Sequence, residues 1–101
     1  MQVTKETING LLVLKVVLTS AREAVLFERN VYDHWEYDTP VYEMLLDLFP
    51  DSEMQILKFE ELQENEVIVH IHAYLRHSIN REFGYPKAID AIYNWINNGY
   101  K

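Results

Sequence analysis

The chain has 101 residues, of which 49% are hydrophobic, 13% aromatic and 25% charged, and this composition predicts one folded domain over residues 1–101. Its net charge of −7 excludes nucleic acid and anionic membranes as main partners, because both require a concentrated positive surface. The absence of cysteine excludes disulfides and thiolate metal sites. We expect a cytoplasmic protein, since no basic signal sequence begins the chain and no apolar run approaches the roughly 20 residues of a membrane span.

The first predicted element is a long helix over residues 5–30. Thr4 is a suitable N-cap, and apolar residues such as Leu14 and Leu18 follow at helical spacing. Valines between the leucines widen the apolar stripe to most of the circumference, which is typical of a central, buried helix. Gly10 falls within this helix and is expected to weaken its first turns by up to about 1 kcal/mol relative to alanine.

A second helix is predicted to begin at Pro40 and to end before Pro50. Thr39 suits the N-cap position, and proline suits the first helical position because an amide there has no partner within the helix. The residue before a proline is disfavoured in the helical conformation, which predicts the end of this helix. Val41, Leu45 and Leu48 share one face of this predicted helix.

The next part of the chain has two interpretations. Ser52 and Gln55 have the spacing of a capping box, which predicts a short third helix. Over residues 66–83, apolar residues recur in four-residue steps, but residues 67–73 also alternate as in a strand. We favour the helix. The alternative is a hairpin at about residues 54–73, which would make the fold α+β.

The last predicted helix begins at Pro86 and ends near Gly99. Ile89, Ile92 and Ile96 share one of its faces. The connections between the predicted elements are short. Together these elements predict an all-α fold, a compact antiparallel bundle of four or five helices.

Negative charge is concentrated in the middle of the chain. Residues 30–66 carry eleven acidic residues and one basic residue, whereas the segments on either side have small positive net charges. Carboxylates attract a basic surface, and tyrosine or tryptophan anchors it, so we predict a protein partner with a basic surface. The function predicted is that of an inhibitory or immunity-type protein that occludes this surface. The predicted binding residues are Tyr32, Asp33, Trp35, Glu36, Tyr37, Asp38, Glu43 and Asp47.

Two other functions stay open. The first is a structural or oligomeric helical module with no inhibitory role, which would form a homo-oligomer if it self-associates. Its acidic residues would then serve only solubility. The second is metal binding by His70, His72 and His77, although no complete ligand set is evident, so no metal site and no cofactor are predicted. We predict that the protein is not an enzyme, because the serines have no adjacent base and the three glycines are too scattered to cradle a phosphate.

Overall fold

The computed structural model describes residues 1–31, 39–49, 55–63, 67–75 and 86–101. Within these ranges the chain forms a four-stranded antiparallel sheet and three helices. The fold is therefore α+β, and the prediction of an all-α helical bundle is wrong. In chain order the elements are β1 (Gln2–Ile8), β2 (Leu11–Leu18), α1 (Ala21–Asn30), α2 (Pro40–Leu48), β3 (Gln55–Gln63), β4 (Val67–Leu75) and α3 (Pro86–Asn97).

The predicted helix over residues 5–30 is instead a β-hairpin followed by a shorter helix. Asn9 and Gly10 connect β1 to β2 with φ values of 52° and 80°. Two consecutive positive φ values are what a type I′ hairpin turn requires, and Asn-Gly is the dipeptide that adopts them most readily. Ile8 and Leu11 pair directly across this turn. Gly10 is therefore a turn residue rather than a weak point in a helix.

The uniform hydrophobicity of β2 follows from its place in the sheet. The strand order is β1-β2-β4-β3, so β2 is an interior strand. Leu14 and Val16 belong to the hydrophobic core cluster, whereas Val13 and Val17 alternate with them and are buried on the other face. A strand buried on both faces needs no polar alternation. The leucines of β2 are therefore at helical spacing only because nearly every residue of this strand is apolar.

The alternative hairpin in the middle of the chain is present. β3 pairs antiparallel with β4, and Gln63 lies opposite Val67 at the end nearest the connection. The short helix predicted after Ser52 is thus wrong over β3, and the helix predicted for residues 66–83 is wrong over β4. The alternating apolar pattern of residues 67–73, which indicated a strand, was the correct guide, and the four-residue spacing, which indicated a helix, was not. The strand pairs on both sides, with β2 and with β3. Ser52 and residues 76–83 lie outside the described ranges.

Two helices begin where their prolines predict. α2 begins at Pro40 and α3 at Pro86. Thr39 occupies the N-cap position of α2, but its side chain makes no capping hydrogen bond. α1 begins instead after Ser20, whose Oγ accepts a hydrogen bond from the Glu23 N–H at 3.2 Å.

The helices place their apolar faces in one core. α3 contacts β1, β2 and β4, and Ile89, Ile92 and Ile96, which were predicted to share one face, are buried. α2 contacts both α1 and α3. Across the described part of the chain, none of the helices has the length and hydrophobicity needed to cross a membrane.

Candidate functional site

A cleft with a volume of 630 Å³ lies between α2 and α3. The α2 residues that line it, Pro40, Glu43, Met44, Asp47 and Leu48, recur at three- and four-residue steps, as residues on one helix face do. The opposite wall, here called the α3 wall, is formed by residues at the same spacing and by residues that follow the helix: Ala91, Asn94, Trp95, Asn98, Tyr100 and Lys101. This volume is within the range of pockets that bind small ligands or short peptide segments, about 300–1,000 Å³.

The α2 wall contains two of the predicted binding residues. Glu43 and Asp47 are exposed, and both line the cleft. They are four residues apart, which separates their Cα atoms by about 6 Å along the helix axis. Met44 and Leu48 also line this wall, and Leu48 is 59% exposed although it was predicted to share a face with Val41 and Leu45, which are buried. The α2 wall thus combines two negative charges with accessible apolar surface.

The α3 wall contributes neutral groups. Asn94 and Asn98 line the cleft one helical turn apart, with Trp95 and Ala91 on the same face. Trp95 is only 7% exposed, so most of its indole belongs to the core. Each asparagine amide provides two N–H donors and a carbonyl acceptor. This wall is suited to hydrogen bonds with a ligand and adds no charge from these side chains.

The turn after α3 brings Tyr100 back onto Trp95. The Gly99 N–H donates to the Ile96 carbonyl at 3.0 Å, and the Tyr100 N–H donates to the Trp95 carbonyl at 2.9 Å. These two hydrogen bonds define a Schellman motif, in which glycine supplies the positive φ, here 77°. The same turn places the Tyr100 side chain in the lining of the cleft.

Tyr100 also connects the cleft to the N-terminal residue. Its hydroxyl donates to Met1 Sδ at 3.8 Å. Burial, and secondly the negative charge of Glu23, raises the pKa of Tyr100. A hydrogen bond from the Met1 ammonium, followed by one from the Thr19 N–H, lowers the pKa of Glu23 to about 2. Near neutral pH, Tyr100 is therefore a neutral phenol that can donate a hydrogen bond.

The other six predicted binding residues lie outside the described ranges. They occupy positions 32–38, which directly precede Thr39 at the start of α2. Of the eight predicted residues, the structure describes Glu43 and Asp47, and both line the cleft. The remaining six are Tyr32, Asp33, Trp35, Glu36, Tyr37 and Asp38.

The histidines do not form a metal centre among the described residues. His70 and His72 lie on β4 and alternate with the buried core residue Ile71, so they occupy the opposite face of the sheet. His72 Nε2 is 3.7 Å from Glu60 Oε1 on the neighbouring strand. In this part of the chain no three histidine or acidic side chains are grouped as metal ligands, and His77 lies outside it.

The sequence predictions did not identify the α3 wall. Asn94 and Asn98 stand one turn apart on the polar side of a helix whose isoleucines face the core, and Trp95 lies between them. The sequence feature that could have indicated this wall is a pair of polar residues one helical turn apart, beside an aromatic residue and just before the glycine that ends the helix. It indicates a hydrogen-bonding surface next to an apolar one.

Comparisons with protein-family models, with curated proteins and with solved structures found no match to this chain.

Proposed function

We propose that the protein binds a basic protein partner in the cleft between α2 and α3. The observation that carries this proposal is the position of Glu43 and Asp47, which lie together on one wall of a partly apolar cleft. Among the described residues of the lining, Lys101 is the one basic residue, and Glu43 and Asp47 outnumber it. A cationic side chain is the group that this arrangement complements.

Charge and apolar surface contribute differently to such binding. An exposed ion pair is worth only about 0.2–1 kcal/mol, so Glu43 and Asp47 serve mainly to attract and orient the partner. Stronger binding comes from apolar burial, at about 25 cal/mol per Å². Leu48 and Met44 offer that surface beside the two carboxylates. A partner with both cationic and apolar side chains therefore suits the cleft better than one with charge alone.

The mechanism that we propose is occlusion. A net charge of −7 attracts a basic surface over distances of about a Debye length. Once bound, the protein covers that surface and excludes the partner's other ligands. Residues 32–38 directly precede α2 and contain three further acidic residues and three aromatic ones, which we include as additional contacts. An inhibitory or immunity-type activity follows if the covered surface is functional.

The test is an affinity capture with three baits: the unchanged chain, the double variant Glu43→Gln/Asp47→Asn, and the control Glu28→Gln. Glu28 is an exposed acid on α1 and is not among the residues that line the cleft. We expect the unchanged chain and the control to retain a basic protein at about 0.05 M salt and to release it at about 0.5 M. The double variant should retain much less. Equal capture by all three baits, or no capture by any, would contradict the proposal.

Self-association is a second candidate, and exposed apolar surface on α1 favours it. Val25 and Leu26 are 48% and 40% exposed, and Arg22 and Arg29 share their face of the helix. Exposed apolar residues that are grouped on one face are common at interfaces. Light scattering of the unchanged chain and of Val25→Ser/Leu26→Ser tests this candidate. An assembly that dissociates in the variant supports it, and a monomer at every concentration removes it.

A further inference from the structure

We infer that the cleft accepts an extended segment of the partner in which two cationic side chains are two residues apart, as in Lys-x-Lys or Arg-x-Arg. This inference rests on the proposed function and adds the conformation and spacing of the bound segment. It is drawn from the two walls of the cleft, because one wall carries paired carboxylates and the other carries paired amides.

The spacing of the carboxylates restricts the arrangement of the cations. Glu43 and Asp47 are separated by about 6 Å along α2. In an extended chain, side chains two residues apart point to the same side and are separated by about 6.8 Å. Adjacent side chains point to opposite sides, and side chains three apart do so at about 10 Å. Only the two-residue spacing directs both cations at the two carboxylates.

The two asparagines of the α3 wall favour an extended ligand over a helical one. Two lysines four residues apart on a helix would also be about 6 Å apart, so carboxylate spacing alone allows both conformations. The backbone N–H and C=O groups of a helix already bond to each other, whereas those of an extended segment need partners. Asn94 and Asn98 can provide these partners from the opposite wall. A helical ligand would leave the two amides without that role.

The residue between the two cations faces the α3 wall. There it would meet Ala91 and the accessible part of Trp95, between the two asparagines. These groups favour a small or apolar side chain at this middle position, since a charged one would lose solvation without gaining an opposite charge. A segment of the form Lys-Leu-Lys therefore complements both walls at once.

The test measures binding of a fluorescein-labelled peptide with Lys-Leu-Lys at its centre and competition by unlabelled peptides. One competitor is the Lys-Lys-Leu isomer, with the same composition and charge, and another is an alanine-rich helical peptide with lysines four residues apart. We expect the Lys-Leu-Lys peptide to bind at least about 5-fold more tightly than either competitor, roughly the effect of one hydrogen bond. The variant Asn94→Ala/Asn98→Ala should lose this preference, whereas Glu28→Gln should keep it.

The binding results test the spacing of the cations, the conformation of the segment and the proposed function separately. Equal affinity for the two isomers would overturn the inferred spacing but leave the proposed function intact. Tighter binding of the helical peptide would overturn the extended conformation. If no cationic peptide binds, and the protein is folded by circular dichroism, both the inference and the proposed cleft are contradicted.

Discussion

Trp95 and Tyr100 meet edge to face, with their ring centroids 5.4 Å apart and their planes at 75°. Tyr100 lies three residues past Asn97, the last residue of α3, and its N–H donates to the Trp95 carbonyl, so the two rings make the apolar contact that accompanies a Schellman motif. Both residues also line the cleft. The structure that terminates α3 therefore also builds one part of the candidate site.

The conformation of Gly99 can be tested directly. Its φ of 77° is unfavourable for a residue with a Cβ atom, but within the described ranges no atom lies within 4 Å of where that Cβ would be. We expect Gly99→Ala to lower the free energy of unfolding by about 1–2 kcal/mol, measured by urea denaturation. Gly99→Asn should cost less because asparagine adopts positive φ more readily. Equal losses in the two variants would show that backbone conformation is not the cause.

The packing of α3 against the sheet predicts a large difference between two aliphatic residues. Ile92 is fully buried, so Ile92→Ala should lower the free energy of unfolding by about 2–5 kcal/mol. Leu48 is 59% exposed, so Leu48→Ala should change it by no more than about 0.5 kcal/mol. Chemical denaturation measures both. Similar effects in the two variants would contradict the described packing of α2 and α3.

The acid stability of the protein should depend on Glu23. Its pKa in the folded protein is about 2, below the ordinary value of 4.5, because the Met1 ammonium and Thr19 hydrogen-bond to the carboxylate. A lowered pKa stabilises the folded state above the ordinary value, and this contribution disappears as the pH falls from about 4.5 towards 2. Glu23→Gln should therefore be less stable than the unchanged chain at about pH 6, with the difference shrinking by about pH 3.

The matched control for this prediction is Glu28→Gln, another glutamate on α1 whose side chain is exposed. Urea midpoints measured across the same pH range should follow those of the unchanged chain in the control. A difference between Glu23→Gln and the unchanged chain that stays constant with pH would show that the Glu23 carboxylate does not titrate as described.

The sequence contained the information for the first hairpin, but a weaker pattern concealed it. Asn9-Gly10 is a strong hairpin signal, because both residues tolerate the positive φ values of a type I′ turn. The apolar run Leu11–Leu18 obscured it, since a strand buried on both faces has no alternation to distinguish it from a buried helix. Which elements cover the faces of a strand is a property of the whole fold. A turn signal therefore deserved more weight than periodicity.

The acidic residues of the α2 wall could be predicted from the sequence, whereas the asparagines of the α3 wall could not. Local charge indicated Glu43 and Asp47, because acidic residues one turn apart share an exposed helix face. Asn94 and Asn98 carry no charge, and their significance depends on α2 and α3 lying side by side. That arrangement arises because α3 packs on a sheet that was not favoured from the sequence and α2 packs against α3. The sequence could indicate one wall but not that a second wall faces it.

The most direct test of the cleft is an amide NMR titration of the unchanged chain with the Lys-Leu-Lys peptide. We expect the largest shifts at the side-chain amides of Asn94 and Asn98 and at the indole N–H of Trp95. In Glu43→Gln/Asp47→Asn these shifts should be smaller at the same peptide concentration and should require more peptide to saturate, because two exposed ion pairs are lost. Saturable shifts confined to the β4 histidines or to the exposed face of α1, with the cleft signals unmoved, would contradict binding in the cleft.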